Sequence, residues 1–587
     1  MFRITIYSIM TFLSSLIVTL LSAFLFAMGI PNEIFHFGNA IAGFLCFIPL
    51  YYVFFISNSR LKTALIYSFF VTFTHLFSSF WLINFQDFAI FTLGASTVAY
   101  FVLALPFGVF FHYIFSSSNI KHRPFLFALT LTMWEYFKSS GFTAYPWGTI
   151  AMTTLSLKHF IQFIDVTGVW GISYMMALIG AIETEVILAL LNFTNGFKKN
   201  KCNKIESRPL VVPIFITLFL IFIINIYGFF ALSNSETSEK NISLLLVQQN
   251  VDPWNESLNK SIEVGQNLTR EGLKKSKDVD LVVWSESSLS IAYEEYKEIY
   301  KTLPQEDPFI SFLKEIDCPI FVGTPIHGHD DHNKTFNGVC LIDKNGEVLG
   351  YYSKMQLVPF AEFIPFIDYP LVQKIFDKIV GFSSGWAQGS VYKLFNIKNK
   401  EGKEIYFTSP ICYEDAFPSL CASLHNKGSD LLLNLTNDSW SKTDSAEYQH
   451  FAIAYFRAIE LRTSLVRSTN AGFTCVVTPK GNIISSLPLF KEGYLHVTVP
   501  IYSHKTTPYA LFKDWLPLFL FVILIRYIWT HQTLYKINKN EEIYPHCHWE
   551  KEKVFTRSIK LTKKRVRFIG IKLSPSKKKN IKKLKEF

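Results

Sequence analysis

Three residue types that together can move an acyl group stand where apolar, strand-like runs end. Glu286 follows Leu281-Val282-Val283-Trp284, Cys412 follows a run ending near Ile411, and Lys354 closes Tyr351-Tyr352-Ser353 beyond a hairpin signal at Lys344-Asn345-Gly346. Strand ends often carry catalytic groups in open sheets. A thiol is a poor nucleophile until ionised, and a nearby carboxylate can take its proton and later return one to a leaving group. A fixed cation can then stabilise the negative charge that develops on an attacked carbonyl oxygen. Against this, a cysteine after a strand is ordinarily a small buried hydrophobe, and most Glu and Lys side chains are solvated surface charges. Cys318, Cys340, Cys421 and Cys475 are read as core residues. With Cys412 they make five cysteines between Ala231 and Pro508, so at least one is free or bonded to another chain.

The elements that must position these groups recur from Asn241 onward. Strands are expected at Ile242–Val247, Leu281–Trp284, Ile320–Gly323, Gly338–Ile342, Ile405–Thr408, Leu431–Leu435, Leu465–Ser468, Thr474–Thr478 and Leu495–Val499. Helical patterns at Glu256–Ser276, Pro308–Glu315 and Ala446–Thr463 separate several of them. Continuous apolar strands alternating with helices indicate a largely buried α/β or α+β sheet domain.

This domain sits inside a membrane protein. Of 587 residues, 50% are hydrophobic and only 18% charged, against about 25% charge in an average soluble protein. A helix crossing hydrocarbon needs about 20 mostly apolar residues. Seven such runs precede the polar middle: Ile6–Met28, Gly38–Phe55, Ala64–Ile83, Phe91–Phe115, Phe125–Phe142, Gly168–Leu191 and Leu210–Phe230; an eighth, Tyr509–Trp529, follows it. The first could be read as a signal peptide, but its apolar stretch is too long and no small-x-small site follows.

Short cytoplasmic loops retain Lys and Arg. Arg3 precedes the first run, Arg60 and Lys62 lie between the second and third, Lys121 and Arg123 between the fourth and fifth, and Lys198, Lys199, Lys201, Lys204 and Arg208 between the sixth and seventh. The expected organisation is therefore a seven-helix membrane domain at 1–230, an extracytoplasmic domain at 231–508, an eighth membrane helix at 509–530 and a basic cytoplasmic tail at 531–587. That tail holds 17 Lys/Arg against 5 Asp/Glu, so the total charge of +11 belongs to it and the remaining chain sums to −1. No folded segment has the basic surface that nucleic acid requires. The tail reads as a topology determinant, and His546, Cys547 and His548 lack the second pair of ligands that zinc spacing needs.

Four motifs occur in a telling order: Trp284-Ser285-Glu286; Lys354 with Leu357-Val358-Pro359-Phe360-Ala361-Glu362; Ile411-Cys412-Tyr413-Glu414; and Asn437-Asp438-Ser439-Trp440. Together they resemble the nitrilase (carbon–nitrogen hydrolase) superfamily. Framed by seven spans before and one after, they resemble more narrowly the apolipoprotein N-acyltransferase family, as do Thr167-Gly168-Val169-Trp170-Gly171, Arg457-Ala458-Ile459-Glu460 and Arg467-Ser468-Thr469-Asn470-Ala471-Gly472. The resemblance covers about residues 1–530 and implies a polytopic helical membrane protein of about eight spans with an inserted α/β nitrilase-like αββα sandwich.

It also implies a catalytic Glu286, Lys354 and Cys412, with Glu362 as a second acid positioning Lys354 or the amine. Glu414 is open between a surface ion-pair partner and a site residue, and Tyr413 and Trp254 match aromatic positions of the family. No metal or organic cofactor is implied. The donor would be a phospholipid and the acceptor a diacylated lipoprotein, with the protein in the bacterial cytoplasmic membrane. A membrane-anchored amidase using water is the alternative, and a non-enzymatic lipid receptor a third reading. Ser285 replaces a usual proline, and Ala361 replaces a glycine and is expected to narrow the freedom of the loop carrying Glu362. The apolar segment Phe360–Phe382 reads either as a lid dipping toward lipid or as a core helix.

Overall fold

The computed structural model describes residues 2–542 apart from 86–88, 119, 142–143, 195–209, 235–236, 253–254, 258, 329–333, 365, 368, 381–384 and 505. The sixth loop's basic cluster, most of the tail with His546, Cys547 and His548, and Trp254 therefore lie outside the described residues.

Among the described residues, twelve strands form the polar middle: β1 Lys240–Gln248, β2 Leu281–Val283, β3 Ile320–His327, β4 Thr335–Ile342, β5 Val348–Ser353, β6 Phe395–Lys398, β7 Glu404–Thr408, β8 Leu431–Thr436, β9 Ser464–Thr469, β10 Cys475–Val477, β11 Ile483–Ser486 and β12 Gly493–Ile501. They build two six-stranded sheets, in the orders β12-β1-β2-β3-β4-β5 and β11-β10-β9-β8-β7-β6. The central pairs β1/β2, β2/β3, β7/β8 and β8/β9 are parallel. Such strands are covered on both faces, which is why runs such as Leu244–Val247, Leu281–Val283 and Leu431–Leu433 are apolar throughout.

Leu244, Leu246, Val283 and Phe321 of one sheet meet Phe407, Leu431, Leu433 and Val466 of the other in a shared core. The outer face of the first sheet, with Leu245, Val282 and Val322, packs on helices Lys260–Lys275, Tyr293–Thr302 and Ile310–Ile316. The outer face of the second packs on Pro418–His425 and Asp444–Leu461, and this core runs on without a break into Phe47, Trp147, Met152 and Trp170 of the N-terminal helices. The architecture is an αββα sandwich.

Four helices among the described residues are long and apolar enough to cross a membrane: Met10–Gly29, Thr92–Ser117, Val169–Leu191 and Val211–Ser233. The other expected runs take different forms. The second is split at Cys46 into Ala40–Leu45 and Phe47–Ile56, because the Pro49 ring clashes with the carbonyl four residues back. The third, Arg60–Ser78, buries Thr72, Thr74, His75 and Ser78 within the protein, and the fifth, Arg123–Lys138, is only 16 residues long. The eighth begins at Trp515 instead of Tyr509, since Pro508–Phe512 forms a separate turn ended by Lys513 at φ +50°.

Candidate active site

β2 delivers Glu286 through a tightly fixed turn. Trp284 is fully buried and its indole N–H donates to Thr269 Oγ1 at 3.0 Å. Ser285, in place of proline, donates its hydroxyl to Gln249 Oε1 at 2.9 Å. Gly323 lets β3 run against the turn, for a Cβ there would stand 2.6 Å from Glu286 Cα.

The β4–β5 hairpin brings in Lys354, whose Nζ lies 3.1 Å from Glu286 Oε1 and 2.8 Å from Glu362 Oε1. Burial alone would lower this ammonium, but the two carboxylates outweigh it and hold it well above the ordinary lysine value. It remains a cation. Both acids accept further hydrogen bonds. Asn337 Nδ2 donates to Oε1 of both Glu286 and Glu362 at 2.8 Å, Asn437 N–H to Glu286 Oε2 at 2.9 Å, and Val358 N–H to Glu362 Oε2 at 2.8 Å.

β7 ends at Thr408, the expected boundary, and Ile411, just before the cysteine, makes only an isolated bridge to Leu435. Cys412 then opens the single turn Cys412–Ala416 with φ +48°, a left-handed conformation unusual for a non-glycine residue. Such a conformation costs about 1–3 kcal/mol and is kept only where the surroundings enforce it. The half-buried thiol is pushed up by burial and further by the Glu286 carboxylate, while Lys354 opposes both. At rest Cys412 is a thiol, so its proton has to leave as it attacks.

Two family models match the chain. The family model for carbon-nitrogen hydrolase matches residues 245–509, and that for the apolipoprotein N-acyltransferase N-terminal domain matches residues 9–182. Apolipoprotein N-acyltransferase 2 of Treponema denticola is 51% identical over 521 residues, covering 88% of this chain and 97% of that protein. The protein of the same name from Treponema pallidum is 43% identical, covering 84% and 91%, and apolipoprotein N-acyltransferase of Borreliella burgdorferi is 31% identical over the same shares. The chain belongs to the apolipoprotein N-acyltransferase family.

Within this apolipoprotein N-acyltransferase family member, Glu414 is a buried clamp and not a surface ion-pair partner. It accepts from the N–H groups of Met355 at 2.6 Å, Gln356 at 3.1 Å and Ile411 at 2.8 Å, and from the Tyr352 hydroxyl at 2.9 Å. It thereby ties the segment after Lys354 to the turn carrying Cys412. Tyr413 is buried, donates its hydroxyl to the carbonyl of Ala144, and stacks on Trp147 at 5.5 Å and 12°. The Thr167–Gly171 motif docks onto the catalytic domain, with the Val169 N–H donating to Glu460 at 3.0 Å.

Beside Ala361, the left-handed position of this loop falls on Phe360 at φ +65°. In the apolar segment that follows, Pro370–Val380 is helical, and Phe366, Tyr369 and Leu371 are 61%, 64% and 71% exposed, contrary to a core element. The other candidate cysteines, Cys318, Cys340, Cys421 and Cys475, are buried and free.

Sequence reasoning missed two groups. Asn337 lies in β4 with no spacing signature of its own. His450, in the Asp444–Leu461 helix, converges with Cys412 and Asp438: a ring nitrogen, Sγ and a carboxylate oxygen all lie within 4.8 Å of one another. By atom type these three suit a metal. However, the Nδ1 of His450 lies 2.7 Å from Asp438 Oδ2 and its Nε2 3.0 Å from Asp415 Oδ1. Burial lowers the ring's basicity, but those carboxylates overcome it and hold the pKa at about 10. An imidazolium has no lone pair for a metal.

Proposed function

We propose that this protein N-acylates lipoproteins by a two-step transfer through Cys412. The observation that carries the reading is the burial of one ammonium, Lys354, between two carboxylates, beside a strained, half-buried thiol. Glu286 takes the Cys412 proton as sulfur attacks the ester carbonyl of a phospholipid. The C–S bond forms, and the charge moving onto oxygen is met by Lys354, with a backbone N–H after Cys412 as second donor. Collapse breaks the C–O bond, Glu286 protonates the departing oxygen, and a lysophospholipid leaves.

The α-amine of an S-diacylglyceryl cysteine at a lipoprotein N-terminus then attacks the thioester. Glu286 accepts the amine proton, the C–S bond breaks, the proton returns to sulfur, and an amide is released. Glu362 keeps Lys354 in place. This chemistry competes with hydrolysis, so water must be excluded. The exposed apolar segment beginning at Phe366, next to the Lys354–Glu362 motif, is suited to cover the site as a lipid-facing lid.

The apolar runs support eight spans, seven at 1–230 and one at 509–530, and the alternation of Lys and Arg among the loops supports 231–508 as extracytoplasmic and the tail at 531–587 as cytoplasmic. The experiment is product analysis of the purified full-length enzyme with labelled phospholipid and a diacylated lipopeptide. Label appearing as an amide on the lipopeptide supports the transferase. Free fatty acid as the sole product, with or without lipopeptide, would make it a hydrolase.

A further inference from the structure

Cys412 is flanked by a second set of charges that the transfer chemistry above does not use. Asp415 comes from the Cys412 turn, Asp438 from the loop after β8, His450 from the Asp444–Leu461 helix and Arg467 from β9, and all four are buried. Arg467 pairs with Asp415 and reaches Asp438 at 3.9 Å. His450 spans the same two carboxylates, one with each ring nitrogen, so each nitrogen carries a hydrogen. Two anions are thus balanced by two cations. Glu447 adds no charge, because burial, reinforced by Asp438, pushes its carboxyl well above the ordinary range.

The balance matters because of where Asp438 lies. A carboxylate within 4.8 Å of Sγ opposes formation of a thiolate, as a like charge does in any poorly solvated site. Asp438 is among the groups that push the Cys412 thiol up, after burial and Glu286. Yet the same loop cannot simply be dispensed with, since the Asn437 N–H beside it holds Glu286.

We propose that His450 is a positioning residue for acyl transfer: a permanent imidazolium that cancels the Asp438 charge beside Cys412 and so lets the sulfur ionise during attack. This rests on Cys412 being the acylated thiol. Other groups acting on Cys412 are Glu286, Lys354 and Glu362 from the β2, β4–β5 and following loop side, and they are left unchanged in the test.

The test is alkylation of Cys412 by iodoacetamide in the full-length protein in detergent, followed by peptide mass mapping between pH 6 and 10. No lipid is needed. His450→Gln leaves Asp438 unbalanced and should slow alkylation at pH 8 by about tenfold, one pKa unit being the low end of a neighbouring-charge effect. Asp438→Asn should speed it by about the same factor. The double variant, neutral at both places, should return to within about threefold of wild type. A merely structural ion pair would instead make both single variants change in the same direction, and that result, or no change in either, overturns the proposal.

If His450→Gln does not fold, the comparison of Asp438→Asn with the double variant decides. Adding His450→Gln must then slow the thiol by about tenfold, and an unchanged rate overturns the proposal. Opposite single-variant effects in an enzyme that forms no acyl adduct from phospholipid would leave the charge arrangement standing and sink the acyl-transfer reading instead.

Discussion

The Nζ of Lys354 lies 3.1 Å from Oε1 of Glu286, so the proposed acid–base carboxylate and the proposed oxyanion cation are paired before any substrate arrives. Each constrains the other. Glu286→Gln keeps the shape and loses the base, and formation of the Cys412 adduct should fall by about 10²–10⁴. Lys354→Met should lower it by about 10²–10³. It should also destabilise the fold by about 3–5 kcal/mol, because two buried carboxylates lose their shared ammonium. Adduct formation at the wild-type rate in a folded Lys354→Met enzyme would remove the cation from the mechanism.

Glu414 gives a pH dependence with a definite sign. Burial pushes its carboxyl up to about 7, against the opposing backbone hydrogen bonds, while in the unfolded chain it titrates near about 4.3. Between these values the folded state binds the extra proton, so the stability tied to this group is present at low pH and is lost as pH rises toward 7. The Tm of wild type minus that of Glu414→Gln should therefore decline from pH 4.5 to 7 and level off above. Parallel curves would contradict the raised pKa.

A charge in the exposed apolar segment should impede lipid more than it harms folding. Phe366→Asp places a carboxylate in the segment proposed as a lipid-facing lid, at a cost below the about 2.5–3.5 kcal/mol assigned to a charge at the centre of a span. Turnover per folded molecule should fall while the Tm stays near wild type. Loss of stability with normal turnover would return the segment to the core.

Membrane orientation can be read by labelling. An impermeant thiol reagent applied to intact cells should modify a cysteine introduced at position 333 and spare Cys547. The reverse pattern would invert the topology.

The parts of the fold that sequence conveyed are those buried on both sides. β1, β2 and β8 carry apolar runs because both faces are covered, and the bounds of each are expected to within two residues, whereas β3 runs four residues beyond Gly323 to His327. The edge strands β6 and β11 are short, and β6 alternates buried and β11 half-buried residues with exposed ones, so they resemble loops of the same composition. Glu286, Lys354 and Cys412 were legible through their motifs and through the strands before them. Asn337 was not, because its value lies in contacts to Glu286 and Glu362, 51 and 25 residues away. His450 was hidden for another reason: its helix is buried from Ser445 to Leu461 on nearly every side, which erases the amphipathic period that would single out an inward-facing polar residue.

The central claim is that acyl transfer passes through a covalent bond to Cys412. Mass mapping of the purified wild-type enzyme after incubation with phospholipid alone tests it most directly. An acyl group should be found on the Cys412 peptide, be released by hydroxylamine as a thioester is, and disappear as amide product when a diacylated lipopeptide is added; Cys412→Ala should form neither adduct nor product. Acylation mapped instead to Cys318, Cys340, Cys421 or Cys475, or undiminished product from Cys412→Ala, would contradict it.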